Sequence, residues 1–176
     1  ALGDFTTDLG NRVAIGQRVE IQGPFGRFRR AGDRSQIWIA GGIGITPFLT
    51  WARALSVDAR PVDLFFCVRS RGDAPHLQEL EEVVKAKPNL RLHLFASEEG
   101  SRLTADLVAE LSDRDMSQAQ VSFCGPVSFR QALQPGLRRH GVSPRSFHFE
   151  EFEFRTGIGL KRVAAWVSDQ RRRTGI

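Results

Sequence analysis

The sequence contains no apolar run approaching the length of a membrane-spanning helix, and its first residues show no basic, apolar, small-residue leader. A soluble, cytoplasmic chain is the expectation. Cysteine is scarce: Cys67 and Cys124 each close an apolar stretch, which suits reduced thiols in a cytosol and excludes a disulfide framework. There is no CxxC and no His/Cys cluster, so no metal is expected. The net charge of +5 is spread along the chain apart from Arg171 to Arg173, which argues against a basic nucleic-acid-binding stripe. Anionic cofactors or acidic protein partners remain as what that charge would attract. Also missing are the GxGxxG dinucleotide fingerprint and the lysine of a P-loop.

What the 176 residues do hold, at 41% hydrophobic and 26% charged, is enough for one globular domain with its own core and some additional chain. Short apolar or alternating runs bounded by Gly, Pro, Asn or Ser read as strands: Ile37 to Ala40, Val62 to Val68, Leu90 to Phe95, Val121 to Cys124 and Phe147 to Phe154. Between them lie helical spacings, carried by Phe48, Trp51, Ala52 and Leu55, by Leu77, Leu80 and Val84, by Leu107, Val108 and Leu111, and by Phe129, Ala132 and Leu133. Helix starts are expected at Thr46-Pro47, with Thr46 as N-cap, after Thr104 and after Pro126, and Gly141 is expected to end the fourth helix. This alternation predicts an α/β fold, a doubly wound five-stranded parallel sheet with its ligand crevice beyond the carboxyl ends of the strands. Function should therefore reside at strand-to-helix turns.

The first such turn is AGGIGITPFL, residues 40 to 49. Glycines there allow positive φ and close approach of backbone N–H groups to a ligand, and the following helix directs its positive end to the same place. Taken alone, the cluster reads equally well as a tight connection or as a phosphate site.

GGIGITPFL, then CGP at Cys124 to Pro126, then FHFEEF at Phe147 to Phe152, in that order and at strand ends, resemble the nicotinamide-binding domain of the ferredoxin-NADP reductase superfamily over roughly residues 35 to 155. Upstream, IQGPFGRF at Ile21 to Phe28 is similar to the segment closing that superfamily's flavin-binding barrel, and ALGDFT is similar to its second flavin-phosphate motif, through Gly3 and Thr6. The latter variant is nearest the ferric-reductase and NADPH-oxidase branch. The resemblance implies a barrel remnant at 1–30, a NAD(P)-binding domain at 31–155 and a C-terminal extension at 156–176.

By the same resemblance Gly41, Gly42, Gly44, Ile45, Thr46 and Pro47 hold the pyrophosphate and nicotinamide side of the dinucleotide, Cys124 lies beside the nicotinamide ring, and Gly125 and Pro126 keep the next turn close. Without the neighbouring motifs, Cys124 would read as a small apolar residue ending a buried strand. Glu150 corresponds to the active-site carboxylate, and Phe152 to the aromatic that stacks on the flavin; here the chain continues past it, whereas plant-type members stop. Phe147 and Phe149 share one strand face but Phe152 and Phe154 take the other, which predicts a bulge or strand end at Glu150-Glu151. A solvated strand end is the plainer reading of those two glutamates. Arg69, Ser70, Arg71, Ser97 and Arg102 stand at the turns expected to meet the adenosine end; there Glu98 and Glu99 would repel a 2′-phosphate and favour NADH, whereas Arg69, Arg71 or Arg102 could each supply a bidentate phosphate contact or simply line a solvated loop.

The implied parent takes hydride from NAD(P)H onto FAD and passes electrons to haem, an iron chelate or an iron–sulfur protein, with the flavin doing the chemistry. Its partners are the nicotinamide dinucleotide, the upstream FAD barrel and that acceptor, with no nucleic acid, and its place is the cytoplasm, either in a soluble reductase or as the cytoplasmic domain of a membrane reductase. The 176 residues alone are expected to be inactive, and the alternative is a non-catalytic nucleotide-binding or electron-transfer subunit of the same fold.

Overall fold

The computed structural model describes residues 9–23, 26–30 and 34–152. The chain divides into two compact units, one of Gly26–Phe152 and one of Ala1–Phe25 with Glu153–Ile176. In the latter, the described residues form a short helix, α1 (Leu9–Arg12), and a turn in which Gly16 has φ +88° and the Gln17 N–H donates to the Ala14 carbonyl at 3.1 Å. Gly3, Thr6 and Phe154 lie outside the described residues, as do Pro24 and Phe25 of the GPFGRF segment.

The Gly26–Phe152 unit is built on β1 (Gln36–Gly41), β2 (Val62–Val68), β3 (Leu90–Ala96), β4 (Gln120–Pro126) and β5 (Phe147–Phe152). All pairings are parallel and the order is β3-β2-β1-β4-β5. Helices α2 (Thr46–Arg53), α3 (Leu77–Lys85), α4 (Ala105–Ser112) and α5 (Val127–Arg139) make the crossovers. β1 is buried along its whole length, which is why its sequence reads as a continuous apolar run and not as an alternation.

Period-two geometry separates two cores. Trp38, Ala40, Leu64 and Phe66 face Phe48, Leu49 and Ala52 of α2 and Leu80 of α3. Ile37, Ile39, Phe65, Val121 and Phe123 face Ala105 and Val108 of α4 and Leu133 and Leu137 of α5. Each large side chain removed from water in this way contributes about 1.5–3 kcal/mol, so the central strands anchor the unit. Phe28 joins the first core, its ring stacked on Trp51 at 4.9 Å and edge-on to Phe48 at 5.8 Å. No helix among the described residues is long and apolar enough to cross a membrane.

Two local expectations are met and two are corrected. Thr104 caps α4, its hydroxyl accepting from the Leu107 N–H at 3.2 Å, and Gly141, at φ +97°, follows the end of α5. Thr46 does not cap α2. A 3-10 turn over Gly42–Ile45 winds directly into the helix, so Ile45 takes the cap position and Thr46 is already helical at φ −56°. Nor is there a bulge at Glu150-Glu151: the β4–β5 register runs unbroken from Val121 opposite Phe147 to Pro126 opposite Phe152. The pattern break has another cause. Phe149 lies under the Arg130 guanidinium on one face while Phe152 packs on the first core on the other, so each aromatic has its own cover.

Candidate functional site

From β1 the chain proceeds outward to β2 and β3, then returns to lay β4 and β5 on the other side of β1. Crossovers therefore diverge at the carboxyl ends of β1 and β4, which opens a crevice there. The glycines show how closely the two turns approach. A Cβ on Gly44 would lie 2.2 Å from the Cys124 carbonyl oxygen, and one on Gly41 would lie 2.9 Å from the Pro126 Cδ. From the other side, a Cβ on Gly125 would lie 3.2 Å from the Gly41 nitrogen. At Gly44 it is backbone that stands in the way of a side chain, at Gly41 it is the Pro126 and Phe129 side chains, and at Gly125 it is the Gly41 backbone together with the Phe123 ring. Gly42 differs: it has φ +55° and open space around it, so its freedom is what lets the chain turn out of β1.

Beside this contact is a cavity of about 350 Å³. Ile43, Gly44, Thr46 and Pro47 line one side, and Cys124, Glu150, Glu151 and Phe152 the other. Six residues selected from the sequence thus meet: Gly44, Thr46, Pro47, Cys124, Glu150 and Phe152. Ile45 does not, because it is fully buried in the first core. Ile43, 47% exposed, lines the cavity in its place. The signal that could have separated them is the position of Ile43 between two glycines, where no packed neighbour is available to cover it. Glu151 was also missed as a lining residue; its carboxylate pairs with Arg130.

Cys124 and Glu150 are register partners on adjacent strands. Burial, together with the negative charge of Glu150, pushes the Cys124 thiol up to about 11, and burial pushes the Cys67 thiol up to about 12. Both thiols remain protonated at neutral pH. Cys124 therefore offers a small, weakly polar surface to the cavity and no thiolate nucleophile.

Arg69, Ser70, Ser97 and Arg102 are not brought to this cavity; they stand at the carboxyl ends of β2 and β3 on the same edge of the sheet. Their turns are bound together. The Glu98 N–H donates to the Arg69 carbonyl at 2.8 Å, the Arg71 N–H donates to a Glu99 carboxylate oxygen at 2.8 Å, and the Arg71 guanidinium pairs with Glu81 at 2.9 Å. Ser70 donates through its hydroxyl to Asp73 at 2.8 Å. Arg71 is thereby engaged by acidic partners, its backbone N–H by Glu99 and its guanidinium by Glu81.

Residues 38–134 match the family described as oxidoreductase NAD-binding domain. The chain is 31% identical over 160 residues to the carnitine monooxygenase reductase subunit of Escherichia coli (strain K12), covering 89% of this chain and 48% of that protein. It is 29% identical over 158 residues to a flavohemoprotein of Schizosaccharomyces pombe, covering 81% and 37% of the two. Among solved structures, the CS-b5R domains of human Ncb5or in the NAD+ form align with TM-score 0.67 at 25% identity, covering 84% of this chain and 45% of that one. The cytochrome b5 reductase domain of Ulva prolifera nitrate reductase aligns with TM-score 0.69 at 20% identity over 84% and 64%, a likeness of fold. This chain spans less than half the length of the two curated relatives. With a family match across more than half of its own length, the chain belongs to the oxidoreductase NAD-binding domain family, within the ferredoxin-reductase superfamily.

Proposed function

We propose that this chain is the nicotinamide-binding part of a flavoprotein reductase that moves hydride from NAD(P)H to FAD and then passes electrons to a haem, iron or iron–sulfur acceptor. The observation that carries the reading is a cavity at the topological switch point, where the Gly44–Pro47 turn, Cys124 and the Glu150–Phe152 strand end converge. The site suits a dinucleotide. No side chain caps the 3-10 turn or α2, and Gly42 leaves open space where its Cβ would be, so backbone N–H groups and the positive helix end are available to an anion.

In this reading Thr46 and Pro47 fix the nicotinamide side, and the protonated Cys124 sets the ring's distance from its acceptor without reacting itself. Glu150 places a carboxylate at the rim, and Phe152 gives an apolar wall. Bound FAD would supply the redox chemistry, accepting two electrons and releasing them one at a time. The flavohemoprotein name among the relatives supports an acceptor of the haem class. The ferric-reductase likeness of ALGDFT falls on residues outside the described ones.

Cys124→Ala tests the assignment. In the FAD-loaded reductase it should slow NADH-to-flavin hydride transfer on the order of 10- to 100-fold in single-turnover measurements, because a small displacement at the reacting carbon is costly. Flavin content should stay the same. An unchanged rate would reduce the thiol to core packing.

NADH is proposed as the preferred nucleotide, on the strength of Glu98, Glu99 and the Arg71–Glu81 pair. Titration should show NADH binding about tenfold tighter than NADPH, a difference of about 1.4 kcal/mol. Glu98→Arg should narrow or reverse that ratio, since a guanidinium can grip the added phosphate through two hydrogen bonds. A clear NADPH preference in the unmutated protein would overturn the proposal.

A further inference from the structure

Among the described residues β5 is an edge strand, paired with β4 alone, and its end carries Glu150 and Phe152 into the nicotinamide cavity. The side chains alternating with these, those of Phe149 and Glu151, turn to the α5 side, Glu151 also bordering the cavity. One side chain holds both. Arg130, in the first turn of α5, places its guanidinium carbon 4.5 Å from the centroid of the Phe149 ring and donates through Nε to the Glu151 carboxylate. Its Nη1 donates to Gln134 one helical turn further on, which fixes the plane of the fork. The Arg130 and Glu151 side chains are only 17% and 24% exposed, so their attraction is poorly screened. Glu151 is opposite Gly125 in the ladder. A lysine could supply the charge but not the planar fork and stacking surface used here.

We infer that Arg130 is a positioning residue: by gripping Phe149 and Glu151 from the α5 side it fixes the end of β5, and so sets the Glu150 carboxylate and the Phe152 ring at the mouth of the nicotinamide cavity. This rests on the reading of Glu150 and Phe152 given above. An edge strand held by one ladder frays most readily at its end, and a frayed end would move both groups away from the reacting atoms without unfolding the sheet.

The test uses the FAD-loaded reductase carrying this chain, with Arg130→Met, Arg130→Lys, Arg130→Glu, the charge exchange Arg130→Glu with Glu151→Arg, and Glu150→Gln as variants. Amide hydrogen exchange is followed by mass spectrometry alongside steady-state and single-turnover NADH kinetics. Arg130→Met should speed exchange over residues 147–152 by about tenfold and leave β1 and β2 unchanged. It should lower the rate of flavin reduction by about tenfold with little change in KM for NADH, because geometry at the reacting centre is lost and not nucleotide affinity. Arg130→Lys should fall between, and the charge-exchanged pair should recover most of both losses. If Glu150→Gln slows flavin reduction while Arg130→Met alters neither exchange nor rate, the positioning role is overturned and the reading of Glu150 stands. Failure of the exchanged pair to recover what Arg130→Glu alone loses would overturn it as well. If Glu150→Gln leaves hydride transfer at the wild-type rate, the reading of Glu150 fails and the role of Arg130 fails with it.

Discussion

Replacing Gly44 by alanine is expected to destabilise the Gly26–Phe152 unit by about 3 kcal/mol, the upper end of what overpacking a core costs, and to abolish NADH binding by the molecules that still fold. The added Cβ would stand 2.2 Å from the Cys124 carbonyl oxygen and 2.7 Å from its carbon. Both are backbone atoms, so no rotamer change relieves the clash. Either β4 or the 3-10 turn must shift, and that shift pulls apart the two walls of the cavity. Gly42→Ala is the informative contrast: it meets nothing within 4 Å, so it carries only the cost of φ +55°, about 1–2 kcal/mol, and leaves the β1–β4 contact intact. Urea unfolding monitored by tryptophan fluorescence, with NADH titration at the same temperature, separates the two. A Gly44→Ala protein with wild-type midpoint and affinity would mean that the turns are not packed as described.

This difference between neighbouring glycines also marks where sequence reasoning reached and where it stopped. VDLFFCV and the Ile37 to Ala40 run read directly as strands because burial on both faces removes polar alternation, and the helical spacings between them follow from one-sided packing. The sheet and its crevice follow from that alternation. The cavity's residues were legible only through the order of three short motifs, since no local pattern says that Thr46 and Glu150 will face each other. What stayed hidden depends on contacts remote in sequence. Gly41 and Gly44 look like ligand-approach glycines until β4 is seen against them, and Ile45 resembles Ile43 until the turn sends one inward and the other out. The apparent break at Glu150-Glu151 needed Arg130, some twenty residues upstream, to explain how a phenylalanine can lie exposed on an edge strand.

Asp63 was the least legible residue, a lone acid inside an apolar strand. It is fully buried, on the second residue of β2, and two guanidiniums and an imidazole converge on it. Arg91 Nε lies 2.8 Å from Oδ1, His93 Nε2 lies 3.0 Å from the same oxygen, and Arg114 pairs with Oδ2. An ionised carboxylate only accepts, so His93 must carry its proton on Nε2. Arg91 and Arg114 also donate to the Ser112 carbonyl at 2.9 and 3.1 Å, and Arg114 to the Pro61 carbonyl at 3.0 Å. The cluster thereby joins β2, β3 and the end of α4. Removing the carboxylate strands two guanidiniums, one of them only 14% exposed, and Asp63→Ala is expected to cost about 3–5 kcal/mol at neutral pH.

Burial by itself would raise the Asp63 pKa, but hydrogen bonds from His93 and Arg91 and the charges of Arg114 and Arg91 outweigh it and hold the carboxyl below the usual carboxylate range. A group whose folded pKa is depressed adds stability above its unfolded pKa and loses it as pH falls through the folded one. The gap in urea midpoint between wild type and Asp63→Ala should thus be constant from pH 7 down to about 4 and close below that. A gap that stayed open well below pH 4, or that narrowed already between pH 7 and 5, would mean that another group titrates in its place. The cluster is at the amino ends of the strands and the cavity at the carboxyl ends, so NADH affinity of folded Asp63→Ala should match wild type. Loss of affinity without loss of stability would contradict the purely structural role assigned to Asp63.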